Sequence, residues 1–80
     1  MEKTVFNLRP TDEYIELNKL LKITGLAQTG GHAKIIIDEG AVLVNGEIEL
    51  QKRKKLRDGD IVQCENNSIE IKNVATDKQT

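Results

Sequence analysis

Cysteine and histidine each occur once, as Cys64 and His32, so neither a pair of cysteines nor a pair of histidines is available for chemistry here. A single thiol makes no internal disulfide, and no second cysteine completes a zinc set. A metal site would need carboxylates alone, and no calcium-loop spacing is present. Nucleophilic catalysis asks for a base beside the nucleophile within a pocket, and His32 falls at an exposed helix start. The glycines from Gly25 to Gly31 suggest a phosphate loop, but His32 and Ala33 stand where Lys and Ser or Thr are required. The residues predict no enzyme, no metal and no cofactor. Cys64 is expected as a small hydrophobe in a strand.

What remains is the chemistry of charge. Lys52, Arg53, Lys54, Lys55 and Arg57 lie within residues 50–57, with no acid among them. Residues 58–80 hold Asp58, Asp60, Glu65, Glu70 and Asp77 against Lys72 and Lys78. The net charge of −1 therefore averages over one cationic stripe, and the local field is what steers a polyanion. Contacts to RNA phosphates are expected from Lys52, Arg53, Lys54 and Lys55, whose side chains should fan out from a connection between two strands.

A second candidate is Thr29-Gly30-Gly31-His32-Ala33-Lys34. Thr29 reads as a helix N-cap. Two glycines in a first turn cost helix propensity, roughly 1 kcal/mol each. Without Cβ atoms, however, the first amides are bare, and a phosphate can sit on the positive end of the helix. Thr29, Gly30 and Gly31 are the expected anion contacts, with Lys34 adding a point charge. The plainer reading, a cap with no ligand, stays open. Phe6 and Tyr14 are the only aromatics. Single-strand readers stack bases on aromatic platforms, so an RNA held here should be folded and gripped by shape and phosphates.

The elements that must position these groups are short. Residues 4–8 alternate weakly, with Phe6 and Leu8 on one side, and read as a strand broken by Arg9-Pro10-Thr11-Asp12. Leu17, Leu20 and Leu21 recur at helical spacing before Gly25, and Leu26 can fold back on the last turn. A second helix opens at Thr29, buries Ala33, Ile36 and Ile37, and stops at Gly40. Each helix is expected to be about nine residues long, too short to persist alone. From Ala41 the period becomes two. Val42 and Val44 lead into Asn45-Gly46, a strong hairpin signal best explained by turn geometry, and Ile48 and Leu50 return. After the basic segment, Arg57-Asp58-Gly59-Asp60 turns the chain into a strand at 61–64. Residues 65–68 make a second hairpin turn, and Ile69, Ile71 and Val74 complete the last strand. The prediction is an α+β fold, two short helices packed on a small, mainly antiparallel β-sheet. Eighty residues suit one domain over 1–74, with 75–80 a flexible tail. No apolar run reaches the length of a membrane span, and Met1-Glu2-Lys3 does not begin a signal peptide. A monomer of the reducing cytoplasm is expected.

These residues also match a family. Leu17-x-x-Leu20-Leu21, Gly25-Leu26-Ala27-x-Thr29, Ala33-Lys34, Gly40-x-Val42-x-Val44-Asn45-Gly46 and Gly59-Asp60-x-Val62 resemble the S-four RNA-binding domain, or alpha-L motif, across residues 15–63. The Thr-Gly-Gly-x-Ala-Lys stretch and the basic run after the hairpin are most similar to free-standing bacterial members of about this length, which have no attached catalytic domain. The resemblance implies an RNA face made by the two helices and the following hairpin. On this chain it maps to Thr29, Gly30, Gly31, Lys34 and the run 52–55, with structured RNA, ribosomal RNA among the candidates, as partner. Where the family commonly has Ser-Arg at the second helix start, Thr29-Gly30 stands here. Its Arg-Leu-Asp opening is Glu16-Leu17-Asn18, which shifts the expected contact toward the basic run.

Two other readings compete. Ubiquitin-like sulfur carriers share an Asn-Gly hairpin and a Gly-Asp turn before a late strand, but they act through a C-terminal Gly-Gly, and this chain ends Asp77-Lys78-Gln79-Thr80. A protein-interaction module without RNA affinity would dock an acidic partner on the basic run.

Overall fold

In a computed structural model, the described residues are 2–9 and 11–73. They form β1 (Glu2–Leu8), β2 (Ile15–Glu16), α1 (Leu17–Ile23), α2 (Gly30–Asp38), β3 (Val42–Val44), β4 (Glu47–Ile48), β5 (Lys55–Leu56), β6 (Ile61–Cys64) and β7 (Asn67–Asn73). Pro10, Val74 and the expected tail at 75–80 lie outside the described residues.

The main sheet has the order β1-β7-β6-β3-β4. Its pairs are antiparallel except β1 with β7, which run parallel and join opposite ends of the sequence. One face carries Val42, Val44, Val62, Cys64, Ile69 and Ile71, all buried, as period-two alternation requires. Leu17, Leu20 and Leu21 of α1 and Ala33, Ile36 and Ile37 of α2 join those residues in one core cluster, with Phe6 and Leu26 packed at its margin. The α+β expectation holds.

Local chemistry sets the boundaries. Helix α1 has seven residues rather than nine. Thr24 Oγ1 donates back to the Leu20 carbonyl at 2.8 Å, and Gly25 takes φ +85°. Helix α2 ends in a Schellman motif. Gly40 N–H donates to Ile37 O at 3.0 Å and Ala41 N–H to Ile36 O at 3.3 Å, with Gly40 at φ +76°. Asn45 and Gly46 both have positive φ, 53° and 87°, the signature of a type I′ hairpin. Asn45 does more than turn. Its side-chain amide donates to Asp60 Oδ1 at 3.0 Å and its oxygen accepts from the Ile61 N–H at 2.9 Å, tying the hairpin tip to the start of β6.

The returning strand is shorter than expected. Strand β4 stops at Ile48, and Ile48 and Leu50 are both exposed. One more bond holds the chain to the edge, from the Glu49 N–H to Val42 O at 2.9 Å. A β-turn closed by Lys54 N–H to Gln51 O at 3.1 Å redirects it into β5. That strand pairs with β2 in a second, two-stranded antiparallel sheet, Ile15 opposite Leu56 and Glu16 opposite Lys55.

Candidate nucleic-acid interface

Residues 52–55 were expected in a connection from which all four side chains fan out. The structure corrects this, since only Lys52 and Arg53 sit at the exposed corners of a turn, whereas Lys54 is half-buried and Lys55 belongs to β5. The reason lies in Leu56. Fully buried among charged neighbours, it anchors β5 on the core beside Ile15, and alternation then turns Lys55 and Arg57 outward.

The main chain of the run is fixed as firmly. Helix α1 begins after Glu16, which makes no side-chain cap. Its first amides instead find carbonyls of the basic run, Leu17 N–H to Lys54 O and Asn18 N–H to Lys52 O, both at 2.9 Å. The Lys19 amide donates to Asn18 Oδ1 at 2.9 Å. Orphan donors at a helix start need such partners. Here the partners are backbone carbonyls of the basic run, that of exposed Lys52 and that of half-buried Lys54.

At α2 the cap is local. Thr29, in extended conformation, accepts from the His32 N–H on its hydroxyl at 3.0 Å and from the Ala33 N–H on its carbonyl at 3.0 Å. The His32 ring closes the loop before the helix through Nδ1, which accepts from the Gln28 N–H at 3.1 Å. The Gly30 and Gly31 amides have no acceptor among the described residues. Nothing lies within 4 Å of where a Gly30 Cβ would stand. Lys34 is exposed. It lies four residues after Gly30 and so on the same face, with its Cβ tilted back toward the helix start.

The two candidate patches are anchored at opposite ends of α1. The basic run caps its start, and at its other end the Ala27 N–H holds Leu21 O at 2.9 Å, two residues before Thr29. Seven helical residues span roughly 10 Å.

Sequence reasoning missed Tyr14. Its ring has the Lys55 ammonium 5.0 Å and the Arg57 guanidinium 5.6 Å from its centroid. With Phe6, Tyr14 also lines an open groove of about 1040 Å³ that runs along β1, residues 11–16 and α1. Arg57, counted in the cationic stripe but not among the expected contacts, thereby joins the patch. Only the Ile15 to Leu56 pairing places Tyr14 beside it, and a two-residue strand leaves no periodic signal. Cys64 is buried in β6 as expected, and burial, reinforced by the Glu65 carboxylate, pushes its thiol above the ordinary value of 9.0.

Comparison with known proteins agrees with this architecture. The chain is 40% identical over 58 residues to YbcJ of Escherichia coli (strain K12), described as a candidate RNA-binding protein, covering 72% of this chain and 83% of YbcJ. It is 42% identical over 53 residues to RlbA of Bacillus subtilis (strain 168), described as a candidate ribosome maturation protein, covering 66% and 75% of the two chains. The solution structure of YbcJ from E. coli, presented as revealing an alfaL motif involved in RNA binding, superposes with a TM-score of 0.65 at 37% identity over 85% of each chain. The S4 domain profile matches residues 8–72, and the chain belongs to the S4 domain family.

Proposed function

We propose that this protein binds folded RNA without catalysing a reaction on it, acting as a monomer in the cytoplasm. The observation that carries the reading is the fixed basic segment. Lys52, Arg53, Lys55 and Arg57 are exposed on a turn and strand whose backbone is bonded into the start of α1. A phosphate seated on the Gly30 and Gly31 amides, with Lys34 beside it, supplies the second grip. The kinship with RlbA favours ribosomal RNA, or a precursor of a ribosomal particle, as the folded partner.

The test is a titration of the protein with a hairpin RNA across salt concentrations. With four or five phosphates neutralised, affinity should fall roughly a hundredfold between about 50 and 200 mM salt. A polyuridine tract of equal length should bind more weakly, since stacking surfaces are scarce. An affinity indifferent to salt, or matched by an acidic polypeptide, would make the surface a site for something other than RNA.

A further inference from the structure

The two-stranded sheet of β2 and β5 has an inner face, Ile15 and Leu56, and an outer one. Extending the register one step places Tyr14 across from Arg57 on the outer face, with Lys55 on the diagonal. Glu16 lies directly opposite Lys55. A simple ion pair would be expected there, yet the ion pairs formed among the described residues are Arg9 with Asp12 and Lys72 with Glu70. The Lys55 ammonium rests over Tyr14 instead, and Arg57 shares the ring. Both cations lie within the distance at which the ring quadrupole attracts a charge. Long basic side chains are otherwise costly to order, because each loses rotamer freedom on contact. A ring that gathers two of them removes part of that loss before the ligand arrives.

We infer that Tyr14 is a positioning residue for phosphate recognition, holding Lys55 and Arg57 as a preset pair of cations on the outer face of the small sheet. This rests on the RNA-binding reading above and names how one part of that surface is organised. The ring acts through the two cations and does not itself stack on a base. Tyr14 is partly exposed, at 37%, but the charges it gathers stand on its face.

The inference predicts a specific pattern. Tyr14→Phe keeps a ring and should bind a hairpin RNA as the parent does. Tyr14→Leu should weaken binding roughly threefold to tenfold, the range of one or two exposed cation–π contacts. In a Lys55→Ala/Arg57→Ala background, Tyr14→Leu should add nothing further, since its partners are gone. Melting curves on every variant identify any that lose the fold. A second readout needs no RNA. In the free protein the Lys55 and Arg57 side-chain protons should be shifted upfield by the ring in the parent and in Tyr14→Phe, and should return to ordinary positions in Tyr14→Leu. Full additivity of Tyr14→Leu with the double alanine variant would overturn the inference, as would ordinary proton positions in the parent. Failure of the parent chain to bind RNA at all would instead overturn the proposed function, and the proton shifts would still decide whether the ring holds the two cations.

Discussion

Helix α1 starts behind Glu16, which caps nothing, and its first three amides go to Lys54 O, Lys52 O and Asn18 Oδ1. Helix α2 starts behind Thr29, which caps from its own side chain, and among the described residues nothing accepts from the Gly30 and Gly31 amides. Both helices present a positive end. At α1 that end is consumed inside the molecule, bonding the backbone of a basic segment in which Lys52, Arg53, Lys55 and Arg57 are exposed. At α2 it is offered to solvent. The same physical feature thus serves as scaffold in one place and as a contact in the other, and substitutions should separate the two uses.

The largest effect should come from removing what anchors the scaffold. Leu56 is fully buried, so Leu56→Ala should cost about 2–5 kcal/mol of stability, read from denaturant or thermal unfolding. A loss below about 1 kcal/mol would mean that the bonds from the α1 amides to Lys52 O and Lys54 O hold the segment without the small sheet. Next comes the charge itself. Changing Lys52, Arg53 and Lys55 together to alanine leaves the capping carbonyls in place, so the melting temperature should hold. RNA affinity should fall by roughly 3 kcal/mol or more, given about 1.5–3 kcal/mol for each charge-assisted bond, and the salt slope should flatten by about one unit per lost contact.

The open end of α2 calls for a steric test. Neither Gly30 nor Gly31 has positive φ, and a Gly31 Cβ would meet only Thr29 Oγ1, at 3.8 Å. The double alanine variant should therefore stay folded and gain helix propensity, roughly 1 kcal/mol per residue. Its methyl groups would stand over the amides assigned to phosphate, lowering affinity by about 1–2 kcal/mol with the salt slope nearly kept. If the variant binds RNA as well as the parent, the glycines are only part of a cap and the contrast between the two helix starts has no bearing on the ligand.

These two regions were unequally legible in the sequence. The start of α2 could be read because its chemistry is local. A threonine cap, a glycine stop at Gly40 and the Asn45-Gly46 turn each act within a few residues, and each stands where expected. The basic segment was legible as charge but not as structure. Its shape depends on Leu56 meeting Ile15, about forty residues earlier, and on α1 amides reaching back to its carbonyls. Strands of two residues show no alternation. The parallel pairing of β1 with β7 escaped notice for a related reason, since nothing in a weakly alternating run names a partner more than sixty residues away. Tyr14 has no aromatic neighbour in the sequence to mark it, and its company in the structure is cationic.

The smallest effect is the one that isolates capping from ligand binding. Thr29→Ala removes the oxygen that holds the His32 amide at 3.0 Å and should cost about 1 kcal/mol of stability, within the 0.5–2 kcal/mol seen for such caps. Thr29→Ser keeps the acceptor and should recover most of it. At the other helix start, Glu16→Ala removes no cap, because the α1 amides are already bonded to the main chain of the basic run, so its cost should stay within about 0.5 kcal/mol. Calorimetric unfolding of the three variants, without RNA, gives the comparison directly. A Glu16→Ala loss as large as that of Thr29→Ala would mean that α1 depends on its own flanking side chain, and that the lysine carbonyls are not what closes its positive end.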